Sequence, residues 1–408
     1  MIDPVRALYD VLIVDDDPFQ ASLLEAKLAC LGYACKVLMD GRRVLEEARS
    51  GRPPVVIMDI IMPGTDGLSL CKILKPVLDA WGGRIIVTSS KEREVEAPRA
   101  LRAGAVAFLA KPYGLEPLRA ALSGLLDAPQ AKRSPPGAAV SLRIWGSRGA
   151  GRAPAAASVY GTKTPCISID FGKDERLILD AGSGILDCAK ELLAKPGRPA
   201  ATLLLTHYHP AHVEGLAGLD LLTRPEARLR VGGPRDPDVD PRALLRSAGA
   251  KDGIEPFFLD ESLYRLSEAA AVRTFFTNHP TTTLAFAVEA NGRKVVYCPD
   301  SSLPGDGEAD LTNNFDRIKQ FVRGADLLLY DSHFSPKDAA GDEGHSSWEA
   351  AVRLGVDAGV RRLLLFHASM SYSDSQVAAL EAEARERVAE ETTSLECGMA
   401  RDGQLVEL

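Results

Sequence analysis

The chain has 408 residues, enough for two or three domains, and its 46% hydrophobic and 25% charged residues are ordinary for a soluble globular protein. A net charge of −8 argues against a nucleic-acid binder that works by bulk positive charge, and there is no apolar run of about 18 residues to span a membrane. The start lacks the basic stretch and long apolar core of a signal peptide. The cysteines (Cys30, Cys35, Cys71, Cys166, Cys188, Cys298 and Cys397) form no CxxC pair. Free thiols in a reducing cytoplasm are expected.

Roughly the first 125 residues alternate strand-like and helix-like segments, the pattern of a parallel sheet covered by helices. Val11–Val14, Val55–Met58, Arg84–Thr88 and Ala107–Leu109 read as short buried strands. A helix with Pro18 in its first turn and Gly32 past its end, then Leu68–Leu74, Pro98–Ala103 and Leu115–Leu126, read as helices. The expected domain spans 1–127. The stretch DAPQAKRSPPGAAV, with three prolines and no apolar period, predicts a linker over 128–140. From Ser141 to Leu408 strands dominate: Leu142–Trp145, Cys166–Phe171, Leu177–Asp180, Ala201–Thr206, Val272–Asn278, Leu284–Val288, Lys294–Cys298, Leu327–Tyr330 and Arg362–Phe366. Helices are expected at Ile185–Leu193, Val213–Leu222, Ser347–Asp357 and Asp374–Val388.

In the first part Asp15 and Asp16 follow one strand, Asp59 another (MDIIMPGTDG), Thr88 ends a third and Lys111 follows a fourth (FLAKPY). Ligands of open α/β sheets bind outside the carboxyl ends of the strands, so these groups converge on one rim. Clustered carboxylates call for a hard cation such as Mg2+. These residues resemble a response-regulator receiver domain, a five-stranded, doubly wound α/β unit. The resemblance implies that Asp59 is the phosphoacceptor and that Asp15, Asp16, Asp59 and the carbonyl of Ile61 hold Mg2+. It also implies that Thr88 is the switch hydroxyl, that Lys111 contacts the phosphoryl group and that the Lys111–Pro112 peptide is cis. A sensor histidine kinase or phosphotransfer protein would be the partner.

All seven histidines lie in the second part, and imidazole is the commonest metal ligand. In THYHPAH, His207 and His209 point the same way if the chain stays extended, and His212 falls where a helix begins. His279 (TNHP), Asp300 (YCPDSS) and His367 (LFHAS) each close a strand, and Asp180 (LILDAGSG) sits at another strand end, placed to orient a ligand from behind. RIWGSRG, YGTKTPCISID, LILDAGSGI, GHSSWEAA and GVRRLLLFHAS resemble the metallo-β-lactamase superfamily, an αββα sandwich, and within it the phosphodiesterase and ribonuclease Z-like branch. That resemblance implies one or two Zn2+ or Mn2+ ions. His207, His209 and His279 would hold the first, His212 and His367 the second, Asp300 would bridge them, and His345 would protonate the leaving oxygen.

In SSWE the S-x-x-E spacing from Ser346 suggests a capping box just after His345. His333 in YDSHF fits no motif and reads as a residue behind the ligands or on the surface, with Asp331 as a candidate partner. The family motif is HxHxDH, but here Ala211 stands where the aspartate belongs. Two readings stay open. One is a phosphorylation-controlled phosphodiesterase acting on a small or cyclic phosphodiester, with nucleic acid disfavoured because no long basic insertion is present. The other is a signalling pseudoenzyme whose second domain binds a nucleotide or a protein. A bacterial cytoplasm and a homodimer through the receiver's last helices fit the family habit.

Overall fold

The computed structural model describes residues 9–31, 33–62, 65–90, 93–126, 139–151, 158–172, 176–195, 197, 199–267, 270–304, 314–338, 344–391 and 394–408. Most of the expected linker over 128–140, and Gly32, lie outside these residues. The chain divides into two compact units. The first is Met1–Arg133 with Ser262–Val272, and the second is Ser134–Glu261 with Arg273–Leu408.

In the first unit, β1 (Val11–Val14), β2 (Cys35–Leu38), β3 (Val55–Asp59), β4 (Arg84–Ser89) and β5 (Ala107–Ala110) form a parallel sheet in the order β2-β1-β3-β4-β5. Helices α1 (Pro18–Cys30), α2 (Val44–Gly51), α3 (Gly67–Asp79), α4 (Arg93–Ala103) and α5 (Leu115–Leu122) connect and cover it. Residues such as Val11, Ile13, Val55, Ile57 and Ile86 pack against Leu24, Leu28 and Leu118 of the helices. Strand β2 and helix α2 escaped the sequence reading. Lys36 interrupts the apolar run of β2, and it is buried with Glu47 of α2 at 3.2 Å. Helix α4 runs through Pro98 and begins five residues before it, so that proline sits inside the helix and not at its start. Within this unit Arg265 of the inserted segment meets Asp10 at 2.9 Å.

The second unit holds two mixed sheets with helices against each, the αββα arrangement. One sheet is built from β6 (Ser141–Gly146), β7 (Cys166–Asp170), β8 (Arg176–Leu179), β9 (Ala200–Leu204), β10 (Arg228–Pro234), β11 (Phe257–Leu259) and, at its far edge, the C-terminal Leu405–Glu407 strand. Strand β12 (Leu263–Arg265) lies in the segment that belongs to the first unit; the second unit's other sheet runs β13 (Ala270–Phe276, its last four residues in this unit), β14 (Leu284–Ala290), β15 (Arg293–Cys298), β16 (Leu327–Asp331), β17 (Arg362–Phe366) and β18 (Glu396–Met399), in that order. β8, β9 and β10 run parallel in the first sheet, and β15, β16 and β17 in the second. Their carboxyl ends carry the histidine-bearing loops. Where the sheets meet, Leu284 N–H donates to the Thr206 carbonyl at 2.9 Å.

The helix expected over Val213–Leu222 is three short pieces: Pro210–Val213, a 3-10 turn at Glu214–Gly218 and Asp220–Thr223. Gly215 explains the break. A Cβ there would lie 2.3 Å from the Gly182 carbonyl oxygen, so the backbone passes too close for a side chain and leaves the regular helical path. The expected Leu115–Leu126 helix stops at Leu122.

Candidate metal centre

In the first unit, the parallel register sets Asp59 opposite Thr88 at adjacent strand ends. Asp15, Asp16 and Asp59 bring one carboxylate oxygen each within 4.8 Å of the others. Lys111 Nζ donates to Asp15 Oδ2 at 2.7 Å and to Asp59 Oδ2 at 2.9 Å. Burial pushes the Asp15 carboxyl up, against the pull of Lys111. Burial alone would depress Lys111, but its bonds to Asp15 and Asp59 carry it above its ordinary value. Thr88 is buried, Ile61 is exposed, and the Lys111–Pro112 peptide is cis.

In the second unit six groups converge. Strand β9 ends two residues before Thr206, and the extended link after it carries His207 and His209 to one point. Pro210 then opens the short helix that turns His212 back. His209 Nδ1 lies 3.3 Å from His279 Nε2. His207 Nε2 and His279 Nε2 lie 4.0 and 3.9 Å from Asp300 Oδ1. On the other side of that carboxylate, His212 Nε2 and His367 Nε2 lie 3.1 and 3.8 Å from Oδ2. The two Asp300 oxygens therefore face two different sets of nitrogens.

Four of these atoms, His207 Nε2, His212 Nε2, His367 Nε2 and Asp300 Oδ2, are buried without a hydrogen-bond partner. His212 Nε2 is close to Asp300 but out of line for a hydrogen bond, as two ligands of one ion would be. A buried polar atom left unpaired costs about 1–3 kcal/mol, so four at one point imply a missing partner. Zinc–nitrogen bonds of about 2.0–2.1 Å put two tetrahedral ligands about 3.3 Å apart, which suits His209 and His279.

The far nitrogens are held from behind. His207 Nδ1 is 3.0 Å from Thr206 Oγ1, and His279 Nδ1 is 2.7 Å from the Gly344 carbonyl. His212 Nδ1 is 2.8 Å from Asp180 Oδ2. Asp180 is fully buried with a left-handed φ of 62°, and it also accepts from Thr206 N, Thr206 Oγ1 and the Tyr297 hydroxyl. Burial depresses His207, His367, His279 and His209. Such neutral imidazoles are the metal-binding form. His212 is the exception. Burial works against its charge, but the Asp300 and Asp180 carboxylates outweigh it and raise it to about 10. Burial also works to raise Asp300, yet His367, His212 and His207 hold it well below the carboxylate range.

His345 stands at the rim, its side chain 17% exposed, with Nδ1 2.8 Å from Asp331 Oδ2. Burial raises the Asp331 carboxyl to about 7, against the pull of His345. The helix cap differs from the S-x-x-E expectation. Ser347 caps Trp348–Asp357 by accepting from Ala350 N, whereas Ser346 Oγ donates to the Ser301 carbonyl. His345 thus lies two residues before the cap. His333 is buried, with a ring nitrogen 3.2 Å from His367 Nδ1, so of its two expected places it takes the one behind the ligands and not the one on the surface. Its backbone N–H donates to Asp331 Oδ1. Ala211 is buried and presents only a methyl group.

Residues 11–123 match the response regulator receiver domain family, and residues 175–368 match the beta-lactamase superfamily domain. The chain joins a receiver domain to a metallo-β-lactamase-fold domain. The receiver is similar to Response regulator MprA of Mycolicibacterium vanbaalenii, 37% identical over 123 residues that make up 30% of this chain and 51% of that protein. MprA of Mycobacterium ulcerans is 35% identical over 116 residues, 28% of this chain and 49% of that protein. The chain thus spans about half the length of the curated relatives it matches. Among solved structures, the metallo-beta-lactamase fold protein YhfI from Bacillus subtilis aligns with a TM-score of 0.49 at 21% identity, over 66% of this chain and all of that one. The short form of human tRNase Z aligns with a TM-score of 0.45 at 20% identity, over 65% of this chain and 98% of that one. Among the described residues no helix is long and apolar enough to cross a membrane.

Proposed function

We propose that the chain is a two-component response regulator in which phosphorylation of Asp59 controls a metal-dependent phosphodiester hydrolase. One observation carries the hydrolase reading: four buried ligand atoms of His207, His212, His367 and Asp300 converge with no partner of their own. The residues present fit a divalent ion of the Zn2+ or Mn2+ kind. His207 Nε2, His209 Nδ1, His279 Nε2 and Asp300 Oδ1 would hold one, and His212 Nε2, His367 Nε2 and Asp300 Oδ2 a second. When bound, such an ion supplies Lewis-acid stabilisation of charge on a phosphoryl oxygen.

The rest of the chemistry belongs to the chain. Asp331 holds the hydrogen on His345 Nδ1, which leaves Nε2 as the position from which a protonated His345 gives its proton to the leaving oxygen. Asp180 fixes His212 in the same manner from behind. In the receiver, Asp15, Asp16, Asp59 and the Ile61 carbonyl would hold Mg2+. Lys111 would steady the transferred phosphoryl group and Thr88 would report it. A histidine kinase or phosphotransfer protein in the bacterial cytoplasm would supply the phosphoryl group. A small or cyclic phosphodiester fits the hydrolase better than RNA, because the chain carries net negative charge.

Ala211 favours a second reading, a pseudoenzyme that binds a nucleotide or protein without turning it over. Metal content and turnover of bis(p-nitrophenyl) phosphate and a cyclic nucleotide separate the two. Turnover that His207→Ala abolishes supports the hydrolase. A metal-loaded but inert protein that Ala211→Asp makes active supports the pseudoenzyme.

A further inference from the structure

We propose that His333 is a positioning residue for His367, taking up the far nitrogen of the second ion's last histidine and linking it to the proton donor. The inference rests on the metal-binding reading above. Three of the converging histidines have a recognisable support behind them: Thr206 for His207, Gly344 for His279 and Asp180 for His212. His367 completes the pattern only through His333, Nδ1 to Nδ1 at 3.2 Å, with both rings buried. With His367 Nε2 turned toward Asp300, its hydrogen sits on Nδ1 and donates to His333 Nδ1, which fixes His333 with its hydrogen on Nε2.

The site is built to hold that ring. The His333 backbone N–H donates to Asp331 Oδ1 at 3.1 Å and to the Ser346 carbonyl at 3.0 Å, and its carbonyl accepts from Ser369 N at 3.1 Å. One ring face stacks on His345, with centroids 4.3 Å apart and planes at 16°. Gly149 makes room, since a Cβ there would lie 2.5 Å from His333 Cε1 and 2.6 Å from Nδ1. The two carboxylate oxygens of Asp331 therefore hold the His345 ring and the His333 backbone N–H, and the His333 ring holds His367. A neutral imidazole is a weaker acceptor than the carboxylate behind His212, so both the Ala211 change and this support weaken the second ion relative to the first.

The test is equilibrium dialysis of the full chain against Zn2+, with Co2+ absorption as a second readout. Wild type is expected to bind two ions. His333→Ala should weaken the second by about 10–100-fold and leave the first within about threefold. His333→Asn, whose amide oxygen replaces Nδ1 as acceptor, should recover most of the loss. Unchanged affinity in His333→Ala, an equal loss at both ions, or a third ion in wild type that the variant removes overturns the positioning role. A wild type that binds no divalent ion defeats the metal-binding reading itself, and this inference with it. If the alanine variant does not fold, cobalt-loaded wild type decides. A slowly exchanging His367 Nδ1–H with a cross-relaxation peak to the His333 ring supports the role, and fast exchange with water overturns it.

Discussion

The receiver pocket and the histidine centre are both assembled at the carboxyl ends of parallel strands, but they balance charge differently. In the receiver, Lys111 bonds two of the three clustered carboxylates directly. In the second domain five imidazoles surround one carboxylate, and four ligand atoms are buried unpaired. On the proposed reading, a pocket that carries its own cation would take up Mg2+ and a phosphoryl group only transiently. On the same reading, a nest of mostly neutral imidazoles would be completed by a resident ion.

The sharpest way to break this contrast is Asp59→Asn. It should abolish phosphoryl uptake from acetyl phosphate on a phosphate-affinity gel and leave the metal content of the second domain unchanged. Uptake that persists puts the acceptor elsewhere. Next in size, Asp331→Asn should lower kcat by about 10²–10⁴-fold on a phosphodiester with a poor leaving group, without loss of metal. An equal loss with p-nitrophenolate as leaving group would remove His345 from the role of acid. Smaller again, Ala211→Asp adds a charged ligand and should tighten the second ion about tenfold or more in a zinc titration. No tightening would mean that the second set does not hold an ion.

The smallest effect is one of pH. With the metal stripped, His212 keeps its proton between Asp180 and Asp300, at about 10 against an ordinary 6.5. A raised folded value gives stability that is fully present below about 6.5 and is lost as pH rises through about 10. The Tm of the chelated protein should therefore drift down over that window, and His212→Gln should flatten the drift. A Tm independent of pH in that window would show that the proton does not stand in for the second ion.

Ligands were legible where they close an apolar strand, as Asp300 does after Arg293–Cys298 and His367 after Arg362–Phe366. The pairing of His333 with His367 was not legible, because the two lie 34 positions apart and no spacing announces the pair. In the receiver the five strand-end residues came from the motif alone, whereas β2 was hidden by Lys36. Strand β10 was missed for a related reason. Arg228 and Arg230 alternate with Leu229 and Val231 before a Gly-Gly-Pro ending, and only pairing with β9 makes that stretch a strand.

Anomalous diffraction from a zinc-loaded crystal of the full chain tests the centre most directly. The account predicts a peak within about 2.1 Å of His207 Nε2, His209 Nδ1 and His279 Nε2, with a weaker one beside His212 and His367. Those three nitrogens hydrogen-bonded to protein groups, with the zinc elsewhere, would contradict it.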